Sequence, residues 1–329
     1  MANGGIIDIS TGVAQTIGRY FSVISVVPSS FYVVFVYLLI ESGSWRHAPD
    51  WSHAFTSLGH LGLEGIGFLA LLSIGLGVII HPIQFAVVQF FEGYWGSGPI
   101  SRKLRSQRIL HYQRKCWDLE QSGNYAGDKV VDWSHGSQEV TSAAQVQFRS
   151  QRDEARRIRD TYFPPDFTQI MPTRLGNVLR RAEFQAGSQY GMSSLQVVSH
   201  LLLIAPAGHV DYVNDQRSQL DLAVRMTTIS LMASATALLF LWPYRLWVLV
   251  AVGPYALAYF SYRGSVIAAR HYGAAFDALI NLDRFALYQQ LHLPPPISTA
   301  DERETNTRMA DLLDHDPGAV VRYKHPAVL

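Results

Sequence analysis

The sequence predicts an all-α polytopic membrane protein, with four transmembrane helices arranged as two hairpins and with long helical extensions on the cytoplasmic side. Three observations predict it. Four apolar stretches match, or nearly match, the roughly 20 helical residues that cross a hydrocarbon core. Lys and Arg gather in the segments that would share one side of the bilayer. Outside the apolar stretches the periodicity is helical, and strand-like alternation is absent.

Residues 1–20, "MANGGIIDISTGVAQTIGRY", form an N-terminal cytoplasmic segment. They lack a basic region beside a short apolar core, and no small-residue cleavage site follows, so they read as leading into a retained signal anchor. Residues 21–96 form the first hairpin. Its first span, residues 21–40, carries no charge, and twenty helical residues cover about 30 Å. Pro28, followed by Ser29 and Ser30, is expected to kink it. The second apolar stretch, residues 61–91, would be about 46 Å long as one helix, more than one hydrocarbon core. His81-Pro82 is where a kink is expected, because proline removes a backbone donor and crowds the preceding turn. Tyr94 and Trp95 then suit the headgroup level.

Residues 97–221 form a helical cytoplasmic domain, and residues 222–292 the second hairpin with its cytoplasmic extension. Spans at residues 226–241 and 246–262 are separated only by "WPYR". Residues 293–329, polar and weakly periodic, read as a disordered tail.

Orientation follows from the basic residues. The loop of residues 41–60 holds only Arg46 and the hairpin tip only Arg245, whereas residues 97–221 hold sixteen Lys and Arg. Arg19, Arg263 and Arg270 flank the spans on that same side. The expectation is a multi-pass protein of a plasma (inner) membrane with both termini cytoplasmic. The run "SRKLRSQRILHYQRK" has six basic residues and no acidic one. Arg102, Lys103, Arg105 and Arg108, with Tyr94 and Trp95, are therefore candidates for contact with anionic headgroups.

Composition agrees with this reading. Charged residues are 16% against a usual ~25%, hydrophobic residues 48%. A formal net charge of +1 excludes a strongly basic nucleic-acid binder. Cys116, the single cysteine, permits no internal disulfide and no cysteine-based metal set.

Within the middle segment, residues 123–136 read as a Gly- and Asp-rich loop and residues 137–162 as a helix, with Phe148, Ala155 and Tyr162 on one face. Arg149–Asp153, Asp153–Arg157 and Arg156–Asp160 have ion-pair spacing. Three prolines make "FPPDFTQIMPTRLGN" a connector, with Thr173 a candidate N-cap. Arg174, Arg180 and Arg181 at that helix start are a candidate phosphate contact, although the multiple glycines of a phosphate loop are missing. Ser193 and Gln196 have capping-box spacing before an apolar run too short to span.

Signals for chemistry are few. His47, Asp50, His53 and His60 share the outer loop, but their spacings fit no helical metal-ligand set, so neither a metal nor a cofactor is expected. No nucleophile–base pair, Walker motif or G-x-S-x-G occurs, and an enzyme is not expected. His81, Pro82 and Glu92, with Ser230 and Ser234 on a small-residue face, are candidates for a pore or gate. The plainer reading of "EGYWG" is a membrane exit, and that of the serine face is helix packing.

The segments "HPIQFAVVQFFEGYW" and "PTRLGNVLRRAE" resemble those of uncharacterised bacterial four-span membrane proteins, a resemblance that implies no activity. Bestrophin-type channels share the gross layout of four spans with both termini inside, without their motif residues being found here. Two functions are expected: an oligomeric pore or channel-like conductor regulated from the cytosol, or a non-conducting membrane anchor or signalling scaffold that binds a cytosolic protein partner. Either is expected to form a homo-oligomer through its small-residue faces.

Overall fold

The computed structural model describes residues 26–135, 142–315 and 318–324, with backbone alone for 125–135 and 142–145. The described residues are all-helical, without a strand. The helices are α1 (Val27–Glu41), α2 (Trp51–Gly59), α3 (Leu63–Ile80), α4 (Gln84–Glu92), α5 (Pro99–His135), α6 (Ser142–Tyr162), α7 (Arg174–Gln185), α8 (Ser194–Ile204), α9 (Ala207–Leu241), α10 (Val252–Gln290) and α11 (Thr299–Leu313). They belong to two compact units. The first takes in residues up to Gln89 together with Arg217–Ala268; the second is Phe90–Gln216 with Ala269–Leu329.

Two stretches of helix are long and apolar enough to cross a membrane, Leu63–Glu92 and Ala207–Gln290. In the most apolar window of each only 17% is buried, unlike a core helix of a soluble protein. The second stretch is not straight. Tyr244 and Arg245 leave helical geometry, Arg245 with φ of 44°. Ser234 Oγ donates to the Ala251 carbonyl at 2.9 Å, although seventeen residues of straight helix would separate them by about 25 Å. The chain therefore turns back at "WPYR", and α9 and the start of α10 lie side by side.

In the first unit, the kink expected at Pro28 depends on the chain before Val26, which lies outside the described residues; Val26 itself is π-helical. Among the described residues Pro28 lies near the start of α1. The rest of the anticipated first span lies outside the described residues. α1 packs on α3 and reaches α9 through Tyr32 Oη and Thr236 Oγ1, 3.1 Å apart. The expected outer loop contains a helix, α2, because Asp50 caps it by accepting from the His53 backbone N–H at 3.1 Å. Asp50 is thus occupied as a cap, and among the described residues no cluster that could hold a metal occurs. His81-Pro82 does not break the helix. A single turn of 3-10 helix, His81–Ile83, joins α3 to α4, a tightening that accommodates a residue with no N–H to donate.

The same unit encloses an arginine. Arg225 of α9 is 1% exposed, and its Nε donates to Gln84 Oε1 of α4 at 2.9 Å. Gln84 Nε2 donates in turn to the Asp221 carbonyl at 3.2 Å.

In the second unit, α5 and α6 pair antiparallel, as Tyr112–Phe163 and Glu120–Arg159 contacts require. Residues 123–135 are not a loop but the last part of the 37-residue α5; Gly123 is buried against Ala155 and Arg156, and helix pairing overrides the weak local propensity. Residues 136–141 lie outside the described residues. Asp153 pairs with its neighbour Arg152 at 3.1 Å rather than with Arg149 or Arg157. Ser193 makes no side-chain cap; Gln196 turns instead to Asp314.

The C-terminal region is also ordered by partners. α11 is capped by Ser298, and its buried face is polar. Glu302, 3% exposed, accepts from Arg284 Nε at 2.8 Å. Tyr288 Oη donates to Asn306 Oδ1 at 2.7 Å, and Asn306 Nδ2 to the Tyr190 carbonyl at 2.8 Å. Met309 joins Leu201, Ile280 and Leu287 in the core. The expected disordered tail thus contains a docked helix, hidden in the sequence because two of its three buried residues, Glu302 and Asn306, are polar and held by hydrogen bonds.

Gln84→Ala removes an acceptor from a buried cation and is expected to cost about 1.5–3 kcal/mol. The double replacement Gln84→Leu with Arg225→Met is expected to recover part of that loss, because the buried cation is removed together with its acceptor. Thermal unfolding midpoints in detergent measure both.

Candidate functional site

Two motifs far apart in sequence meet in the second unit. "EGYWG" docks on the start of α7, which is "TRLGNVLRRAE" with its cap. Thr173, the expected N-cap, accepts from the Gly176 N–H at 2.9 Å while donating its own hydroxyl proton to the Glu92 carbonyl at 2.9 Å. The approach is close enough to dictate glycine. A Cβ on Gly176 would lie 2.0 Å from the Glu92 oxygen, and one on Gly93, whose φ is +110°, 2.3 Å from Pro172 Cγ. Arg180 completes the junction by donating to Tyr94 Oη at 2.9 Å and pairing with Glu183 at 3.1 Å. Burial holds the Glu183 carboxyl above the usual carboxylate range, and Arg180 pulls it partway back.

The connector before α7 is shaped by polar side chains. Arg159 on α6 is 9% exposed. Its Nε meets Glu120 at 3.0 Å, and its other nitrogens donate to the carbonyls of Pro164 and Pro165 at 3.0 Å each. Asn177, 1% exposed, accepts from the Met171 N–H and donates to the Met171 and Thr173 carbonyls at 2.7–2.8 Å. These bonds replace water for a buried, proline-broken backbone.

Beside this connector the second unit has a cavity of about 410 Å³ that opens to the surface, with Lys115, Arg157 and Arg270 exposed at its rim. Four helices supply its cations: Lys115 from α5, Arg157 from α6, Arg174 from α7 and Arg270 from α10. No carboxylate lines it, and none of the four cations has an ion pair among the described residues. Tyr112, Tyr162 and Phe163 form its aromatic wall, with the Arg270 guanidinium 5.6 Å from the Tyr162 ring centroid. Burial raises the Tyr112 hydroxyl above its ordinary value, against a smaller opposite pull from Arg108 and Arg174, so it remains a neutral donor. A second cavity of about 300 Å³ shares Thr161 and Arg270 but is lined by Asp160 and Asp277 as well.

The residues singled out from the sequence are dispersed. His81 and Pro82 are exposed at the 3-10 turn of the first unit. Ser230 and Ser234 are buried there, with Ala233 and Ala237 at 0% beside them. Glu92 is half-buried in the second unit, its carbonyl taken by Thr173. Arg102, Lys103 and Arg108 are exposed on α5 and Arg105 half-exposed; Tyr94 is bonded to Arg180, and Trp95 Nε1 to the Phe90 carbonyl at 2.9 Å. Of the three candidate phosphate contacts only Arg174 faces the cavity, since Arg180 points to Tyr94 and Arg181 to the Phe163 carbonyl. Lys115, Arg157 and Arg270 were not singled out as a set; they lie on separate helices with no common spacing.

No protein-family model, curated protein or solved structure matches the chain.

Cys116 is 0% exposed in the α5–α6 seam, and burial pushes its thiol up to about 11. Because an unfolded thiol ionises near ~8.5, this burial stabilises the fold less as pH rises through the interval between those values. Iodoacetamide at pH 8 is expected to leave Cys116 unlabelled in the native protein and to modify it rapidly in urea, as read by intact mass.

Proposed function

We propose that this chain is a four-span membrane anchor that holds a helical recognition unit at the cytoplasmic face, and that it does not conduct through its own helix bundle. The observation that carries this reading is the fate of the small polar face. Ser230, Ala233, Ser234 and Ala237 are enclosed within the chain, and Ser234 is bonded to Ala251 of the returning arm. Such a face serves close helix packing. The exposed surface of the same helices is apolar, with Phe68, Leu71, Ile79, Leu239, Leu249 and Phe260 outward, a surface suited to lipid. The four-span count is supported by the reversal at Tyr244 and Arg245, which divides the long apolar stretch into two arms, and by the apolar α1. The cytoplasmic placement of both termini rests on the distribution of Lys and Arg.

The second unit, by contrast, has the features of a binding domain: an organised connector, a buried polar network and a basic cavity. A conducting ring would have to line its pore with a face other than the one carrying Ser230 and Ser234.

Purified protein in proteoliposomes is expected to show no ion flux above empty liposomes, and native mass in mild detergent a monomer or dimer. A closed ring of subunits whose flux changes on replacing His81 or Glu92 would overturn the reading in favour of the pore.

A further inference from the structure

We propose that the cavity walled by Lys115, Arg157, Arg174 and Arg270 binds a phosphate ester, the phosphoryl group held by the cations and an organic body lying against Tyr112 and Tyr162. The proposal deepens the reading of the second unit as a recognition unit and rests on it.

Charge is the first argument. Three cations packed elsewhere in this unit are matched: Arg159 with Glu120, Arg180 with Glu183, Arg284 with Glu302. The four around the cavity converge from four helices without a carboxylate among the lining residues. Like charges gathered around one concavity repel, and an anion placed between them relieves that repulsion. The adjoining cavity sets Asp160 and Asp277 against Arg181 and Arg270, so the unbalanced positive charge lies in the first.

Chemistry narrows the anion. Three of the four cations are arginines, whose planar forks suit the paired oxygens of a phosphoryl group. Arg174 opens α7, so the partial positive charge at that helix start adds to the same field. The volume of about 410 Å³ exceeds what a bare phosphate needs and falls within the ordinary range of small-molecule sites, roughly 300–1,000 Å³. Leu119, Ile158 and the two tyrosines give the remaining wall an apolar, aromatic character that a naked inorganic ion would leave unused.

Two sources supply such a ligand, a soluble nucleotide-like ester or a phosphoinositide headgroup. The full chain in phosphatidylcholine nanodiscs is titrated with ATP by calorimetry. In parallel, nanodiscs containing a phosphoinositide are compared by thermal unfolding. ATP binding identifies a soluble ester; stabilisation by the phosphoinositide alone identifies a headgroup. In either case Arg174→Gln with Arg270→Gln is expected to weaken binding by at least about tenfold. Arg174→Lys with Arg270→Lys should recover part of it, and Arg149→Gln, exposed on α6 and outside the cavity lining, should leave it unchanged. Absence of binding in both arms, or equal binding by the Gln double variant and the unaltered protein, overturns the proposal. Neither result bears on flux or native mass, so the anchor reading stands or falls separately.

Discussion

The buried guanidinium of Arg225 is the constraint on which the apolar unit depends. An ion enclosed by apolar helices is tolerated only when its donors are met by well-placed acceptors. Gln84 meets one of them with its amide oxygen and turns its NH2 to the Asp221 carbonyl. This sets the register of α4 against α9, because moving either helix by one residue would swing the group about 100° away. Ser230, Ala233, Ser234 and Ala237 then permit the close approach of the returning arm, and Leu39 of α1 joins Ala237, Leu241 and Ala251 in the same packing. Apolar surface alone could slide along its neighbours; the polar clamp selects one alignment.

The second unit follows the same logic with a different result. Arg159, Asn177, Glu302 and Asn306 are all nearly enclosed, and each has hydrogen-bond partners. Together they shape a proline-broken connector and dock α11. Lys115, Arg157, Arg174 and Arg270 line a common cavity with no carboxylate among its lining residues, and Arg270 also borders the adjoining one with Asp160 and Asp277. The convergence of four cations from four helices is what gives the cavity its character, and it is a property of helix arrangement rather than of any one helix.

Much of the architecture is legible in the residues themselves. The heptad Phe148, Ala155 and Tyr162 identifies the inward side of α6, and Val213, Leu220 and Val224 that of α9. Thr173 announces its cap, and "WPYR" its reversal. The misreadings have a common cause. Gly123 and the aspartates after it suggest a loop, yet pairing with α6 carries the helix through. α11 lacks an apolar stripe, since Glu302 and Asn306 are buried by bonds to Arg284, Tyr288 and Tyr190. Ser193 and Gln196 have cap spacing, but Asp314 offers Gln196 another partner. In each case a contact distant in sequence outweighs a local preference of comparable size.

Local composition determined that this chain is helical, that Leu63–Glu92 and Ala207–Gln290 are apolar enough to enter a membrane, and where most helices start and turn. Those properties depend on neighbours within a few residues, which one-dimensional order records. Tertiary structure alone decided that "EGYWG" rests on "TRLGN", that Arg225 is answered by Gln84, and that four cations from four helices surround one cavity. Hydrogen bonding and electrostatics act over a few ångströms of space, whatever the separation along the chain, and no periodicity in the sequence encodes that proximity.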